Sequence, residues 1–367
     1  MDGRARIVLA AGGTGGHLFP AFALAEELRR RGYAVELMTD MRGDRYGTGF
    51  PAERVHCVPA ATVTSKSPVA LARTALTLGR GIMAARTILK SIEPAAIVGF
   101  GGYPSFPPLM AATHLRIPSA LHEQNAVLGR ANRKLARYVD RIATSFETTR
   151  FLEGPLLAKA RFTGNPVRDQ VINVSRVPYP SVESGPLKLL VFGGSQGARF
   201  FSEVVPAAFA AMRPEIRRVI DVVQQAREED VAAVRAAYAA AGVPAEVATF
   251  FKDLPERIAT SHLVIARAGA SSVAELSVIG RPSILVPLPH ALDNDQLQNA
   301  TRLAESGGAW CIEQKNLTPE ALADAITTLI EAPSMLVEAA AHARSEGRPD
   351  AVLRLADLVE ELALRPA

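Results

Sequence analysis

The stretch RIVLAAGGTGGHLFP, residues 6–20, places an apolar run directly before four glycines. A short apolar run, a glycine turn and a following amphipathic segment predict a strand, a tight loop and a helix. Because glycine has no Cβ, backbone N–H groups of such a loop can face a ligand at the helix N-terminus, where anions bind. The stretch therefore predicts a phosphate-binding loop in an α/β domain.

The same plan recurs in KLLVFGGSQGA, residues 188–198. Strand-like and helix-like segments alternate along the rest of the chain, which is typical of parallel sheets covered by helices. At 367 residues the chain exceeds one ordinary core. We predict an α/β protein with two similar domains, 1–163 and 164–340. The boundary is expected near 164–187, because residues 177–186 are rich in Pro, Ser and Gly and residues 163–170 hold an Asn-Pro turn. The helical tail, 341–367, is expected to pack back on the first domain.

Composition favours a soluble globular protein with an anionic partner. The chain is 48% hydrophobic and 21% charged, with a net charge of +4. The apolar run before the first glycines is too short for a signal peptide, and residues 95–115 hold three glycines and three prolines, which disfavours a membrane span. Cys57 and Cys311 stand far apart, so neither a disulfide framework nor a zinc site is indicated. Nucleic acid is disfavoured because aromatics are not interleaved with the basic stretches.

His17 follows the first glycine loop, which lacks the lysine of a P-loop and the third glycine of a dinucleotide loop. A histidine can carry a proton near neutral pH, although capping its own helix is the simpler role. Loops at the carboxyl ends of parallel strands converge on one crevice. VGFGGYPS (98–105) and HEQN (122–125) are therefore expected to bring Tyr103, Glu123 and Asn125 near His17, unless HEQN is only a solvated turn.

The second half predicts a crevice of its own. GGSQGA (193–198) and RAGASSVAEL (267–276) are both glycine turns that open into helices. Glu275 lies four residues beyond Ser271, on a similar helix face, and a carboxylate there suits a ribose diol better than a phosphate. These features favour a nucleotide, with an exposed helix glutamate as the alternative. PLPHALDNDQLQNA (287–300) adds Asp295, Gln296 and Asn299, which suit sugar hydroxyls.

GGTGGH, GGY, HEQN, GNPVR, GGSQGA, RAGA with Glu275, and DQ before NA resemble the MurG family in order and spacing, from residue 7 to about 300. That family comprises the peptidoglycan N-acetylglucosaminyltransferases of the GT-B fold, glycosyltransferase family 28. The resemblance implies two Rossmann-like domains with parallel sheets facing a central cleft. It implies transfer of GlcNAc from UDP-GlcNAc, with inversion, to the C4 hydroxyl of MurNAc in lipid I (undecaprenyl-pyrophosphoryl-MurNAc-pentapeptide), giving lipid II. It implies no cofactor and no required metal.

The resemblance also implies roles for residues. His17 is the expected base, with Glu123 as the alternative. The expected acceptor-binding residues are Thr14, Gly15, Gly16, Gly101, Gly102 and Tyr103. The expected donor-binding residues are Asn125, Arg168, Ser195, Gln196, Gly197, Phe250, Phe251, Ala270, Ser271, Ser272, Glu275, Asp295 and Gln296. The chain departs from the family at Asp295, where another polar residue is more usual, and at Gln224 and Gln225, where a His-Gln pair is usual.

Residues 68–92 form two apolar faces when plotted as a helix. One face carries Leu71, Ala75, Leu78, Ile82, Ala85 and Leu89, and the other carries Val69, Arg73, Leu76, Arg80 and Met83. Arginines among apolar residues suit anionic lipid, as does the basic segment 130–141. We predict membrane contact through Arg73, Leu76, Arg80 and Met83, unless these arginines cover a second packing surface.

These expectations define the partners and the alternatives. The expected partners are UDP-GlcNAc, lipid I, an anionic membrane surface and other proteins of cell-wall synthesis, at the cytoplasmic face of the plasma membrane. The alternatives are a UDP-GlcNAc 2-epimerase, another GT-B UDP-sugar transferase, and a nucleotide-sensing adaptor that would not need His17 or Glu123.

Overall fold

The chain folds into two compact units in a computed structural model, which describes residues 4–12, 15–40, 49–62, 67–183, 185–194 and 197–364. The first unit combines Met1–Arg168 with Pro349–Ala367, and the second is Asp169–Arg348. The expected boundaries, 163/164 and 340/341, fall slightly earlier. Backbone N–H groups of Thr163 and Gly164 donate to Thr144 O, which keeps the GNPVR segment in the first unit.

The first sheet is parallel throughout, with the order β3-β2-β1-β4-β5-β6-β7. Its strands are β1 Arg6–Ala10, β2 Ala34–Thr39, β3 Arg54–Cys57, β4 Ala96–Gly99, β5 Ser119–Glu123, β6 Arg141–Thr144 and β7 Ala160–Phe162. In the central strand β1, Val8 pairs with Glu36 on one side and Ile97 on the other. Residues 7–10 are completely buried because helices cover both sheet faces.

The second sheet repeats this topology, with the order β10-β9-β8-β11-β12-β13 and parallel pairing throughout. Its strands are β8 Leu187–Phe192, β9 Ile220–Gln225, β10 Ala245–Ala248, β11 Leu263–Ala266, β12 Ser283–Leu285 and β13 Ala309–Cys311. Numbered within each unit, the second sheet has the Rossmann order 3-2-1-4-5-6, and the first has the same order with a seventh strand at its edge. This order places a binding crevice where it reverses, beside the first strand.

The described helices cover both faces of the sheets. They are α1 Gly15–Arg30, α2 Pro68–Ile92, α3 Phe106–Leu115, α4 Arg130–Leu135, α5 Asp169–Val174, α6 Arg199–Ala211, α7 Pro214–Arg217, α8 Val231–Ala240, α9 Leu254–Thr260, α10 Ala270–Ile279, α11 Asp295–Glu305, α12 Pro319–Glu331, α13 Pro333–Glu346 and α14 Ala351–Ala363. In β1, Ile7 and Leu9 pack with α1 and α14, whereas Val8 packs with α2 and α3 on the other face. This alternation is the period of a strand.

Helix α14 belongs to the core of the first unit. Leu355, Leu358, Val359 and Leu362 are buried with α1 and the sheet. Arg31 at the end of α1 donates to Asp357 at 2.7 Å and to Glu360 at 2.6 Å. The preceding helix, α13, stays in the second unit, where Arg344 donates to Ser175 O at 2.7 Å and Ile279 O at 2.9 Å.

Arg281 anchors the second unit from a completely buried position. Its Nε donates to Ala259 O at 3.0 Å, and its Nη1 donates to Ile279 O at 2.9 Å and Gly280 O at 3.0 Å. Nη2 donates to Val177 O at 3.3 Å and Pro178 O at 3.0 Å. Burial lowers the pKa of this guanidinium to about 10. Arg281 thus joins the segment after α5 to the ends of α9 and α10.

Two glycines of α2 give opposite expectations for stability. A Cβ added at Gly81 would lie 1.9 Å from Pro59 O, whereas one added at Gly79 meets nothing within 4 Å. We expect Gly79→Ala to raise the free energy of unfolding by about 0.5–1 kcal/mol, because alanine favours a helix. Gly81→Ala should lower it by roughly 2–3 kcal/mol, because backbone must move. Urea denaturation of both variants tests this pair, and shifts of the same sign would contradict it.

Candidate active site

The two glycine loops occupy the same place in their sheets, between the first strand and the next helix of each unit. A Cβ at Gly12 would lie 2.7 Å from Thr39 Oγ1, and one at Gly193 would lie 2.3 Å from Ala198 N. Gly194 and Gly197 have positive φ angles. These positions need glycine for steric reasons. Three predicted binding residues of the loops, Thr14, Ser195 and Gln196, lie outside the described residues.

Helices α1 and α6, which follow the loops, have no acidic residue in their first turns. Their N-terminal amides therefore present positive charge without a competing carboxylate, as an anion site requires. Gly15 is buried against the ring of Phe19, and Gly16 is exposed. Arg168 lies over the same Phe19 ring at 4.6 Å, so the arginine of GNPVR stands beside the first turn of α1.

His17 is the third residue of α1 and heads a chain of hydrogen bonds. Its Nδ1 lies 3.0 Å from Oε1 of Gln124. Nε2 of Gln124 lies 2.9 Å from Nδ1 of His122, and Nε2 of His122 lies 3.0 Å from Gly164 O. Gln124 and His122 are buried, whereas His17 is half-buried. Burial lowers the pKa of His122 to about 4, so this ring is neutral at physiological pH.

Glu123 is buried, and its side chain points away from the hydrogen bonds that link His17, Gln124 and His122, toward α4. Its carboxylate accepts hydrogen bonds from Asn125 N at 3.0 Å, Asn125 Nδ2 at 3.2 Å, Gly129 N at 2.8 Å and Asn132 Nδ2 at 2.8 Å. Four donors occupy its oxygens, which suits a carboxylate that holds a loop in place. These contacts favour His17 over Glu123 as the base.

The GGY loop after β4 packs directly against His17. Gly102 has a φ of 69°, and a Cβ added there would lie 3.2 Å from His17 Nε2. Gly101 has a φ of 83° and packs against Asn132. The Tyr103 hydroxyl donates to the carboxylate of Asp40, which sequence analysis did not select. The first unit thus brings His17, Gly101, Gly102 and Tyr103 together.

In the second unit, Ala270, Ser271 and Ser272 open helix α10. Its N-cap Gly269 supplies no side-chain hydrogen bond, and the first turn holds no acidic residue. Ser271 Oγ is buried and has no partner among the described residues. Glu275 lies further along the same helix and is 6% exposed. The arrangement offers amides for an anion and, beyond them, a carboxylate.

The segment before α11 is shaped by backbone in the left-handed region. His290, Asp293 and Asn294 all have positive φ. Gln296 Oε1 accepts from Leu288 N at 3.0 Å, so this amide also holds the segment. Asp295 Oδ1 accepts from Gln296 N at 2.7 Å.

Asn299 does not fit the expectation of a sugar contact. It is completely buried and donates to Ala268 O at 3.1 Å, which fixes α11 to the loop before α10.

The residues that depart from the family pattern have separate roles. Gln224 is buried in the core, where it donates to Phe201 O and accepts from Tyr238. Gln225 instead accepts from Gly193 N at 3.1 Å and so supports the glycine loop.

The two aromatics among the expected donor-binding residues differ in exposure. Phe250 is 65% exposed, whereas Phe251 is buried beneath Arg257, at 4.4 Å.

The predicted membrane residues lie on one exposed surface of α2. Leu76 and Met83 are 57% and 72% exposed, and Arg73 and Arg80 are exposed beside them. On the opposite face Ala85 and Leu89 are buried, but Leu71 and Ala75 are exposed, so packing covers only the later turns of α2. Within the described part of the chain, no helix is long and apolar enough to span a membrane. The residues that the structure describes also contain no group of three or more His, Cys, Asp or Glu side chains that could hold a metal ion.

Two known protein domains match the sequence of this chain, one in each half. The N-terminal domain of glycosyltransferase family 28 matches residues 7–144, and the C-terminal domain of the same family matches residues 188–355. The chain belongs to glycosyltransferase family 28. As a family 28 member it is a glycosyltransferase of the GT-B fold, and its two α/β units are the two domains of that fold.

Relatives of this family 28 glycosyltransferase span nearly the whole chain. The UDP-N-acetylglucosamine–N-acetylmuramyl-(pentapeptide) pyrophosphoryl-undecaprenol N-acetylglucosamine transferase of Sinorhizobium fredii is 54% identical, over 97% of this chain and 95% of the relative. The crystal structure of Acinetobacter baumannii MurG matches with a TM-score of 0.81 and 29% identity, over 97% and 99% of the two chains. A UDP-GlcNAc 2-epimerase from Neisseria meningitidis shares the fold alone, with a TM-score of 0.68 and 14% identity over 98% and 100%.

Sequence analysis missed the buried Arg267, which lies between β11 and α10 in the second unit. Arg267 of RAGA donates to Val286 O at 3.1 Å and Pro287 O at 3.2 Å, and to Gln314 at 2.7 Å. Burial lowers the pKa of its guanidinium to about 10. Arg267 therefore holds the strand end that leads into residues 287–296. The available signal was an arginine placed directly after the four buried residues of β11.

Proposed function

We propose that this glycosyltransferase moves GlcNAc from UDP-GlcNAc to the C4 hydroxyl of MurNAc in lipid I and forms lipid II with inversion at C1. The Sinorhizobium relative and the MurG match support this assignment. The main structural support for this function is the position of Glu275 in α10. A buried carboxylate beyond an acid-free helix N-terminus suits a ligand with a diphosphate and a ribose diol.

The chemistry follows from one direct displacement. The MurNAc oxygen attacks C1 of GlcNAc as His17 accepts the hydroxyl proton, and the bond between C1 and the diphosphate oxygen breaks. The electron pair leaves with UDP. We propose that the N-terminal amides of α6 and α10 stabilise this developing charge and that no metal and no cofactor are required.

The first experiment follows radiolabelled GlcNAc from UDP-GlcNAc to a short-chain lipid I analogue, in EDTA. Formation of the lipid-linked disaccharide at an undiminished rate is the expected result. Loss of activity in EDTA that Mg²⁺ restores would remove the metal-free proposal alone. Epimerisation of UDP-GlcNAc without an acceptor would favour the hypothesis of a 2-epimerase. Binding of UDP-GlcNAc without turnover would favour the hypothesis of a nucleotide-sensing adaptor.

Glu275→Gln separates the donor site from the acceptor site. The amide keeps the shape of the side chain but loses the charge that accepts two ribose hydroxyl donors. We expect the Kd for UDP-GlcNAc to rise about 30-fold, since hydrogen bonds to a charged group contribute about 1.5–3 kcal/mol. The KM for the lipid I analogue should change less than threefold. Calorimetry and steady-state kinetics check this pair, and equal losses for donor and acceptor would contradict the assignment.

We propose further that the exposed surface of α2 binds anionic lipid at the cytoplasmic face of the plasma membrane, beside other proteins of cell-wall synthesis. Exposed Leu76 and Met83 can enter the interface while Arg73 and Arg80 meet lipid headgroups.

Combining Leu76→Ser with Met83→Ser should lower binding to phosphatidylglycerol vesicles at least tenfold, because the apolar contact is lost. Val337→Ser, at an exposed apolar residue of α13, is the matched control and should bind as wild type. Vesicle co-sedimentation measures both. Unchanged binding of the double variant would rule out this surface.

A further inference from the structure

We infer that the backbone carbonyl of Gly164 determines which ring nitrogen of His17 carries the proton, through His122 and Gln124. The role of this control in catalysis rests on the proposed function, in which His17 is the base. His122 and Gln124 would then be positioning residues, because neither needs to touch a substrate. One end of the series of hydrogen bonds from Gly164 to His17 is fixed by the backbone.

The fixed end is the contact between Gly164 O and His122. A carbonyl oxygen can only accept, so Nε2 of His122, 3.0 Å away, must carry hydrogen. The buried ring is neutral, since burial lowers its pKa to about 4. A neutral imidazole has one N–H, so Nδ1 of His122 is bare and accepts.

The second step fixes the orientation of the Gln124 amide. One amide atom lies 2.9 Å from the bare Nδ1 of His122 and also 2.9 Å from His122 O. Both neighbours are acceptors, so this atom is the NH₂ nitrogen. The amide oxygen is therefore the atom that lies 3.0 Å from Nδ1 of His17.

The amide oxygen of Gln124 determines the tautomer of His17. Because the Gln124 oxygen can only accept, Nδ1 of His17 must donate, and the lone pair of the neutral ring is left on Nε2. Among the described residues Nε2 has no hydrogen-bond partner, and it lies beside Gly102, where a Cβ would approach it to 3.2 Å. The nitrogen that faces the GGY loop is thus the basic one.

The arrangement matters because a histidine base works from one nitrogen only. In the opposite tautomer Nε2 carries the proton and cannot accept one from a hydroxyl. The other ionisable groups of this cluster have separate contacts: Glu123 meets four donors, Asp40 accepts from Tyr103, and Arg168 lies over Phe19. Gln124 therefore controls the His17 tautomer from a neutral side chain.

A direct test reads the tautomer of His17 by NMR. The full-length protein is labelled with ¹⁵N-histidine, and the His17 signals are identified as those lost in His17→Asn. At neutral pH, long-range ¹H–¹⁵N spectra of wild type should show a protonated Nδ1 and a bare Nε2. In Gln124→Leu the preference should be lost. A protonated Nε2 in wild type would overturn the inference, whatever the enzyme transfers.

Kinetics of three variants test the consequence for catalysis. Gln124→Leu should lower kcat about 100-fold with KM changed less than threefold, because general-base catalysis requires the correct tautomer. Gln124→Glu keeps an acceptor facing Nδ1 of His17 but puts an oxygen where the NH₂ faced two acceptors, so it should recover only part of that loss. Its carboxylate favours the imidazolium, so the acidic limb of its pH–rate profile should move to higher pH. Ser145→Ala is the control. It removes a nearby hydrogen bond to Glu123 O that does not belong to the series from Gly164 to His17, and it should retain kcat within twofold.

The outcomes separate the inference from the proposed function. An Nδ1-protonated His17 together with full activity of His17→Ala would leave the tautomer control standing and remove His17 as the base. Wild-type kcat and an unchanged tautomer in Gln124→Leu would overturn the inference, even if GlcNAc transfer is confirmed.

Discussion

We expect replacement of His17 by alanine to lower kcat for GlcNAc transfer by about 1,000-fold, while the Kd for UDP-GlcNAc should stay within twofold of wild type. The size follows from the role of general base that we propose for His17, since such a base contributes about 10²–10⁴-fold to a rate. The donor affinity is retained because the residues assigned to UDP-GlcNAc binding in α10 belong to the other unit. Single-turnover kinetics with saturating acceptor, alongside calorimetry of UDP-GlcNAc binding, measure the two quantities.

Glu123→Gln is the informative comparison for His17→Ala. The change keeps the shape of the side chain but turns one of the two carboxylate oxygens, each of which accepts two hydrogen bonds, into an NH₂ group that faces other donors. We therefore expect lower stability and a smaller loss of kcat than in His17→Ala. A larger kcat loss in Glu123→Gln, with an unchanged thermal midpoint, would transfer the role of base from His17 to Glu123.

We expect Arg281→Met to lower the free energy of unfolding of the second unit by about 4 kcal/mol. The methionine fills part of the volume and removes a buried charge, but it leaves the carbonyls of Pro178, Ala259 and Gly280 without their donor. Each buried acceptor left unsatisfied costs about 1–3 kcal/mol. Because two domains need not unfold together, the measurement is native-state hydrogen exchange of peptides from α9 and α10.

Arg302→Met is the matched control for Arg281→Met. Arg302 is an exposed arginine of the same unit, and its recorded partner is Glu305 at 3.3 Å. Exposed ion pairs of this kind contribute about 0–1 kcal/mol. Equal exchange in the two variants would show that the buried contacts of Arg281 contribute nothing beyond an ordinary surface pair.

The α/β class and the two-unit plan could be predicted because strand, glycine turn and helix recur in both halves, and all are local patterns. The unit boundary required tertiary contacts. Gly164 looks like part of a linker in sequence, but it joins the first unit through Thr144 and His122. The exposed early turns of α2 were also missed, since periodicity identifies a face without showing what covers it.

The candidate site was partly accessible to sequence reasoning. HEQN could be placed at a strand end, but its residues were not sorted by side. Strand alternation points His122 and Gln124 to one side and Glu123 to the other, and applying it would have separated the histidine chain from the carboxylate. No local pattern could reveal that Gly164 O contacts His122 or that Asn299 bonds to Ala268, because each pair is distant in sequence.

The position of α14 has a consequence for synthesis of the chain. A ribosome completes residues 169–348 before it reaches Leu355, Leu358 and Leu362, which fill the core beside α1. At elongation rates of about 5–20 residues per second this interval lasts roughly 10–40 s. The second unit, continuous in sequence, can fold during that time, while the first-made unit keeps an apolar groove open. The earliest part of this protein to emerge is therefore the last to be finished, and its groove is the surface that a nascent-chain chaperone would have to cover.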